Sequence, residues 1–212
     1  MLATLSHERV VNAGLQLTAQ RGLSAVTLRS VAASLHVTPM ALYRHVGDAE
    51  SLFSNVVAVI VDAIPAVPVA GGPQDRLREW ARATRQTLAA YPGAAAHLMT
   101  NWFTLPAVLD TLEDLLAAAE DSGLRGFDAV ALVNSIFMFV LMRVEAEQAI
   151  RSAGVVRRTL AFEGSARPLR RLRANARFYE VAELDAHFDY GLDLILHGVR
   201  RRRRAVLIGA TG

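Results

Sequence analysis

The sequence predicts an all-α fold of about nine to ten helices, with a small N-terminal and a larger C-terminal helical domain. Almost every segment repeats its apolar residues at the helical period, and strand patterns are nearly absent. Helix-start and helix-stop residues divide the chain into successive helical segments. The stretch PAVPVAGGP at 65–73 is the clearest linker, because it holds three prolines and two glycines. We therefore place the domains at 1–64 and 74–204.

The N-terminal domain is predicted to be a three-helix unit followed by a connecting fourth helix. The predicted spans are Ser6–Gln20, Leu28–Leu35, a short helix from Pro39, and a helix after Asp48 that runs to about Ile64. Ser6, Thr27, Thr38 and Asp48 are the expected caps, since their side chains can accept from free backbone N–H groups. Pro39 suits a first helical position, where its missing N–H costs nothing.

The C-terminal domain continues the helical pattern. The predicted helices are about Gln74–Ala90, Ala95–Phe103, Pro106–Ser122, Asp128–Ile150, a short basic helix from Pro168, and a last helix from about Val181 to Arg203. Breaks at Tyr91-Pro92-Gly93 and Gly123 separate the first three of these helices. A loop of mixed character is expected from Arg151 to Arg167.

Composition narrows the function classes. The 212 residues contain no cysteine, which excludes disulfides, thiolate metal sites and cysteine nucleophiles. Hydrophobic residues make up 52% of the chain, which indicates an apolar cavity or a buried subunit interface. All 23 cationic residues are arginine, and the net charge of +3 is compatible with nucleic-acid binding. We see no signal peptide and no apolar run of the ~20 residues that span a membrane, and we expect a soluble cytoplasmic protein.

Segment 27–52 has the pattern of a helix-turn-helix. Such a unit braces one helix on the DNA backbone and lays a second helix in the major groove. The residues predicted to lock the two helices together are Val31, Leu35, Val37 and Leu42. The outward side chains include arginine, whose fork matches guanine O6 and N7, and hydroxyl and imidazole groups that reach phosphates. The competing interpretation is an ordinary helical corner with exposed polar residues.

At these positions the chain resembles the TetR family of bacterial transcriptional repressors. The resemblance covers ERVVNAGLQLTAQRGLSAVTLRSVAASLHVTPMALYRHV and continues through GDAESLF. Its ordered features are the Gly22 stop, the Thr27 cap, the Val37-Thr38-Pro39 turn, and Leu42-Tyr43-Arg44-His45 followed by Gly47. The resemblance implies a homodimer that binds a palindromic double-stranded DNA operator and is released by a small-molecule effector.

The resemblance also implies which residues contact DNA. The full set is Thr27, Arg29, Ser30, Thr38, Pro39, Met40, Ala41, Tyr43, Arg44 and His45. Tyr43 and His45 fall at the family's phosphate contacts, although Tyr43 could pack beside Leu42 and His45 could be a plain surface residue. Where the family usually has a lysine that clamps a phosphate, this chain has Ala49. That departure bears on affinity more than on specificity, because phosphate contacts position the protein and base contacts specify the sequence.

The larger domain is predicted to form the dimer. The segments LREWARATRQTLAAYPG and HFDYGLDLILHGV resemble the C-terminal domain of the tetracycline-repressor type. The eighth helix, AVALVNSIFMFVLM, is apolar almost all round, which is not typical of a surface helix. We expect it to form a four-helix interface across a twofold axis together with Phe188, Leu192, Ile195, Leu196 and Val199 of the last helix. The twofold would place the two recognition helices about 34–36 Å apart, as a palindrome requires.

An effector cavity is expected among the fifth to eighth helices, because apolar walls with a few polar groups suit small molecules. The candidates are Trp80, His97, Asn101, Trp102, Phe103, Asn134, Phe137, Met138 and Met142, with Met99 as a further wall residue and Arg143 or Glu147 as charged anchors. The alternative is that most of these are ordinary core residues. No metal-ligand spacing stands out, and neither a metal nor a cofactor is predicted.

These features favour a ligand-responsive repressor over an enzyme, because no Ser-His-Asp arrangement, glycine phosphate loop or carboxylate pair stands out. Activation, or a dual role, stays open within the same class. A helical small-molecule enzyme is a second hypothesis. A membrane-surface protein that uses the eighth helix and the arginine run 200–204 is a third. We interpret that run more simply as a solvated helix end whose cations complement the helix dipole.

Overall fold

The computed structural model of the chain describes residues 4–153, 166–180 and 183–209. Within these ranges the chain forms ten α-helices and no strand, which confirms the predicted all-α class. The first five are α1 His7–Arg21, α2 Leu28–Ser34, α3 Pro39–Val46, α4 Ala49–Asp62 and α5 Pro73–Ala89. The others are α6 Ala94–Asn101, α7 Pro106–Asp121, α8 Phe127–Ala153, α9 Arg170–Ala174 and α10 Leu184–Gly209. We call α1–α4 the head and α5–α10 the sensor.

Helix bounds differ from prediction mainly in the second half of the chain. α8 is 27 residues long and extends past the predicted end at Ile150. The predicted basic helix after Pro168 is only the short α9, which is followed by a 3₁₀ turn at Ala176–Tyr179. α10 begins at Leu184 rather than Val181, and the latter lies outside the described residues. Most of the predicted loop Arg151–Arg167, namely 154–165, also lies outside them.

The head has its own apolar core where α1, α2, α3 and α4 meet. Val10, Val31, Leu42, Leu52 and Val56 are fully buried there. α1 and α4 approach closely at Gly14, because a Cβ added to this glycine would lie 2.6 Å from Cγ2 of Val56. This core sets the angle between the two helices of the helix-turn-helix, as the apolar pattern of 27–46 predicts.

α8 is the central helix of the sensor and packs against α5, α6, α7 and α10. Its buried stripe comprises Ala129, Leu132, Val133, Ile136, Phe137, Val140, Leu141 and Val144. The segment Phe127–Ser152 of α8 is long and apolar enough to cross a membrane, judged by length and composition alone. The sequence had been expected to contain no such segment. The packing of α8 against four neighbouring helices is instead that of the core helix of a folded domain.

The middle of the predicted linker is packed against the rest of the chain. Val67 is only 6% exposed, and the carbonyl oxygen of Pro68 accepts a hydrogen bond of 2.7 Å from Nε of Arg76 on α5. The division of the chain into domains at 65–73 stays a prediction.

Three arginine–aspartate pairs join α5 to α10. The pairs are Arg78–Asp193, Arg82–Asp189 and Arg85–Asp185, with N···O distances of 2.7–2.8 Å. Because α5 and α10 run in opposite directions, arginines at successive turns of one helix meet aspartates at successive turns of the other. The aspartate side chains are 44–83% exposed, so each pair contributes little to the free energy of unfolding and mainly sets the register of the two helices.

Glu147 on α8 is the buried acid of the sensor, with 5% of its surface exposed. Arg85 and Arg143 hold its two carboxylate oxygens at 2.8 and 3.0 Å. Arg85 also lies over the ring of Phe188, 4.7 Å from its centroid. A cleft of about 570 Å³ between α5, α8 and α10 opens beside this network. Glu147 is therefore paired with two arginines within the chain, and its predicted role as an effector anchor stays a prediction.

Candidate DNA-binding head and effector region

The start of α2 is held by a reciprocal capping box. Oγ1 of Thr27 accepts from the backbone N–H of Ser30 at 3.1 Å, and Oγ of Ser30 accepts from the N–H of Thr27 at 3.0 Å. The Ser30 hydroxyl donates to the carbonyl oxygen of Ala25 at 2.6 Å. The predicted cap at Thr27 is confirmed. The Ser30 hydroxyl is already engaged within the chain, which weakens its predicted role as a DNA contact.

The turn between α2 and α3 is closed by backbone geometry that the sequence pattern did not reveal. His36 has a φ of 56°, in the left-handed region that favours glycine. The N–H of Val37 donates to the carbonyl oxygen of Ala32 at 3.0 Å, which closes the turn around His36. Histidine adopts positive φ more readily than most residues, so His36 could have been predicted from sequence to occupy the left-handed position of the turn.

α3 presents the predicted recognition surface. Arg29, Thr38, Pro39, Met40, Tyr43 and Arg44 are all exposed, and Met40 is the most open of the large apolar side chains among them at 74%. Ala41 and His45 are half-buried. Thr38 occupies the cap position before α3, as predicted, but its side chain makes no capping hydrogen bond. Its hydroxyl is therefore available to a ligand, and the N–H of Ala41 donates instead to the Thr38 carbonyl oxygen at 3.0 Å.

The start of α4 lacks a cation. Oδ1 of Asp48 accepts from the N–H of Ser51 at 2.7 Å, which confirms the predicted cap. The hydrogen bonds from the Ser51 backbone and side chain hold the pKa of Asp48 below its usual value. Ala49 is exposed beside it. The head thus offers a carboxylate and a methyl group at the position where the TetR-like pattern has a lysine.

The predicted effector residues divide into two groups. Trp80 of α5 and Phe137 of α8 are buried and stacked with ring centroids 6.4 Å apart, and Trp102 lies 5.8 Å from Phe137. Met99 and Met138 are half-buried and pack against the core. Asn134 and Met142 do not lie among these rings, because both are exposed on the surface of α8. The side chain of Phe103 lies outside the described residues.

His97 and Asn101 lie on one face of α6 and are half-buried. Nδ2 of Asn101 donates to the carbonyl oxygen of His97 at 3.0 Å, and it lies 2.8 Å from Oγ1 of Thr100. The His97 ring meets Phe53 of α4 edge-on, 5.2 Å between centroids. Burial lowers the pKa of His97 below its usual value, so the ring is neutral at neutral pH.

Sequence patterns missed Thr84, one turn after Trp80 on α5. Both residues are 1% exposed, and neither Nε1 of Trp80 nor Oγ1 of Thr84 has a hydrogen-bond partner. Among the described residues the only other such buried side-chain atom is Nε of Arg143. A lone threonine in a helical segment carries no sequence signal, so only the packing identifies it.

The predicted dimer residues of α10 are largely in the wrong place. Phe188, Leu192 and Leu196 are fully buried inside one chain, so they are unavailable to a partner. Ile195 is half-buried, and the side chain of Val199 lies outside the described residues. Among the described side chains, the exposed large apolar residues of α8 and α10 are Phe127, Val130, Met142, Tyr190 and Leu194.

An all-helical chain that joins a capped helix-turn-helix to a second helical domain is typical of a transcriptional regulator that carries both its DNA-binding and its ligand-binding domain in one polypeptide. Comparison with known proteins specifies the family. Residues 10–56 match the model of bacterial regulatory proteins of the tetR family, and residues 64–203 match the tetracyclin repressor-like C-terminal domain. The chain belongs to the TetR family, as its motifs indicate.

Individual relatives resemble the chain along most of its length. The class A tetracycline repressor from transposon 1721 of Escherichia coli is 29% identical over 97% of this chain and 95% of the relative. A possible TetR family regulator from Streptomyces coelicolor A3(2) superposes with a TM-score of 0.79 at 27% identity, covering 92% of this chain and 99% of the other. ActR of Streptomyces coelicolor, solved with actinorhodin, shares the fold with a TM-score of 0.72 at 21% identity over 93% and 96% of the chains.

Membership of this family establishes the general function. The chain is a soluble, ligand-responsive transcriptional regulator that binds a DNA operator. It is not an enzyme, and the hypothesis of a helical small-molecule enzyme is wrong.

Proposed function

We propose that the chain is a cytoplasmic, homodimeric repressor that holds a palindromic operator with α3 and leaves it when an effector binds the sensor. The observation that carries the proposal is the exposed face of α3, which stands on a buried head core. The tetracycline repressor relatives support repression, and an activating or dual role is the alternative.

The proposed base contacts are Arg29, Thr38, Pro39, Met40 and Arg44, and the proposed phosphate contacts are Tyr43 and His45. Arg44 is exposed in the last turn of α3 and can present its guanidinium fork to a guanine. Thr38 can use its free hydroxyl on a base or a phosphate. Thr27 and Ser30 are proposed to act mainly by fixing the start of α2, since they bond each other.

The proposed dimer face is the outer surface of α8 and α10. Gly191 lets the two helices approach, because a Cβ added there would lie 2.7 Å from Cζ of Phe139. Met142 on α8 and Tyr190 and Leu194 on α10 are 56%, 69% and 59% exposed. Large apolar groups concentrated on two neighbouring helices are typical of a face that a partner covers. A second copy meeting this face across a twofold would form the four-helix interface.

Two contacts can carry a change in the sensor to the head. The N–H of Leu23, just after α1, donates to the carbonyl oxygen of Pro92 between α5 and α6 at 2.8 Å. Phe53 of α4 meets His97 of α6 edge-on. An effector that displaces α6 would move α1 and α4 through these contacts and change the separation of the two recognition helices. It can do so only to the extent that it binds the two states with different affinity.

A gel shift with DNA from beside the gene for this protein tests the DNA-binding part of the proposal. We expect a specific shift that competitor DNA of random sequence does not remove, and a reporter on that DNA should rise when the regulator is deleted. A fall in the reporter would instead establish activation. No specific shift at any salt concentration would contradict the operator proposal.

Matched leucine variants test the dimer face. Leu194→Arg should convert the dimer to a monomer in analytical ultracentrifugation, because it places a charge in the buried four-helix interface. Leu109→Arg on α7 is the control, since Leu109 is also exposed, at 45%, but lies away from the proposed face. Equal effects of the two substitutions would contradict the assignment.

A further inference from the structure

We propose that Trp80 and Thr84 form a polar pair in the effector site and that they select planar, uncharged compounds carrying a hydrogen-bond acceptor, such as aromatic ketones. The inference rests on the proposed function, because it assumes that the sensor binds an effector beside α5. It goes beyond that proposal by naming the chemical class and the two atoms that recognise it.

Trp80 and Thr84 lie on the same face of α5, and the polar atom of each side chain lacks a hydrogen-bond partner. Four residues apart on α5, they lie on successive turns, and both are 1% exposed. Nε1 of Trp80 and Oγ1 of Thr84 have no partner. Burying a polar group without a partner lowers stability, and such groups are rare in folded proteins. Two of them on adjacent turns indicate a place where a ligand supplies the missing hydrogen bonds.

The surroundings define the rest of the ligand. The Trp80 ring is stacked on Phe137 with an interplanar angle of 16°, and the Trp102 ring lies 5.8 Å from the same phenylalanine ring. Aromatic walls of this kind favour a flat, apolar molecule. A planar ligand that enters between these side chains would stack on the aromatic rings in place of their stacking on each other.

The donors decide the polarity of the ligand. An indole N–H can only donate, so the group that faces Trp80 must accept. The Thr84 hydroxyl can donate to the same acceptor or accept from a neighbouring hydroxyl. The guanidinium charges of Arg85 and Arg143 are both paired with Glu147, at 2.8 and 3.0 Å, and burial lowers the pKa of His97, so its ring is neutral. An uncharged ligand therefore fits this site better than an anion or a cation.

A pair of probes that differ by one carbonyl group tests the inference. 9-Fluorenone and fluorene have nearly the same flat shape, and only the ketone has an acceptor. Isothermal titration calorimetry on the full chain should show about ten-fold tighter binding of 9-fluorenone, because a site built for a hydrogen bond rejects the analogue that lacks it. Thr84→Val, which replaces the hydroxyl by a methyl group of similar size, and Trp80→Phe should each reduce that preference.

Thermal stability supplies a second measurement with a matched control. Thr84→Val should raise Tm, because it removes a buried hydroxyl that has no partner. Thr18→Val should lower Tm, because the equally buried Thr18 hydroxyl donates to the carbonyl oxygen of Gly14 at 3.0 Å. Thr18→Val should leave the preference for 9-fluorenone intact.

Three results would overturn the inference: equal affinity for the two probes, no binding of 9-fluorenone up to its solubility limit, or an unchanged preference in Thr84→Val. Operator binding is measured in parallel on the same preparations. If the wild-type chain shifts its operator but shows no preference for the ketone, the ligand class is wrong and the proposed repressor function stands. If the wild-type chain prefers the ketone but does not shift its operator, the repressor function is wrong and the ligand class stands.

Discussion

The head and the sensor differ in where their unpaired polar side chains lie. In the head, the groups that hold the fold bond within the chain, as in the capping box of Thr27 and Ser30, and the groups proposed to bind DNA are exposed. In the sensor, Trp80 and Thr84 are buried without partners. Substitutions of the exposed head groups proposed to bind DNA should therefore change binding alone, whereas substitutions of Trp80 or Thr84 should change stability together with the response to an effector.

The largest effect should come from the buried ion pairs of the sensor. Glu147→Ala leaves Arg85 and Arg143 without their shared carboxylate, and we expect a loss of about 3 kcal/mol in the free energy of unfolding. Urea denaturation measures it. The control is Glu113→Ala on the exposed face of α7, which should change stability by no more than about 0.5 kcal/mol. A small effect of Glu147→Ala would show that the sensor interior is as tolerant as the head surface.

Arg44→Ala tests the other side of the comparison. It should weaken specific operator binding by about 1–3 kcal/mol if the guanidinium forks a guanine, while the urea midpoint stays unchanged. Fluorescence anisotropy with operator and with random DNA measures both affinities. An equal loss on the two DNAs would reassign Arg44 to a phosphate, and a large loss of stability would break the separation of binding from folding in the head.

The two threonines at helix starts of the head form a matched pair. Thr27→Ala removes a capping bond and should cost about 1 kcal/mol of stability. Thr38→Ala removes a hydroxyl that makes no capping bond, so stability should hardly change while operator affinity falls. Denaturation and anisotropy on both variants separate the roles. If both variants lost equal stability, the cap assignment for Thr38 would have to be restored.

The same division explains what the sequence could predict. Helix spans, the caps at Ser6, Thr27 and Asp48 and the exposed face of α3 follow from local patterns, because spacing and capping act within a few residues. The sensor depends on which helices meet. α8 is apolar nearly all round, so its sequence did not distinguish the stripe around Ile136 from the exposed Met142, and the inward face of α10 was assigned to the partner. Contacts between helices that are far apart in the sequence produce no local periodicity, so the sequence does not show which face of α8 or α10 packs inside the chain.

Ala49→Lys should increase operator affinity by a modest amount. The substitution restores a cation at the start of α4, where one further phosphate contact would steepen the dependence of log K on log salt by about 1. Titrations at several salt concentrations measure the slope. Ala58→Lys, on an exposed position of α4 further from α3, is the control and should leave the slope unchanged. A similar change in both would indicate general charge attraction and no clamp at position 49.

The smallest expected effect is a pH dependence of sensor stability that comes from His97. Burial lowers its pKa in the folded chain below the usual value of 6.5, so the unfolded chain takes up a proton first as the pH falls. The contribution of neutral His97 to the free energy of unfolding is therefore complete above pH 6.5. It decreases as the pH falls from 6.5 to the pKa of His97 in the folded chain. His97→Gln should reduce the slope of unfolding free energy against pH in this window, measured by urea denaturation at several pH values. An unchanged slope would mean that His97 is solvated, and the contact between Phe53 and His97 would then no longer serve as a packed link between sensor and head.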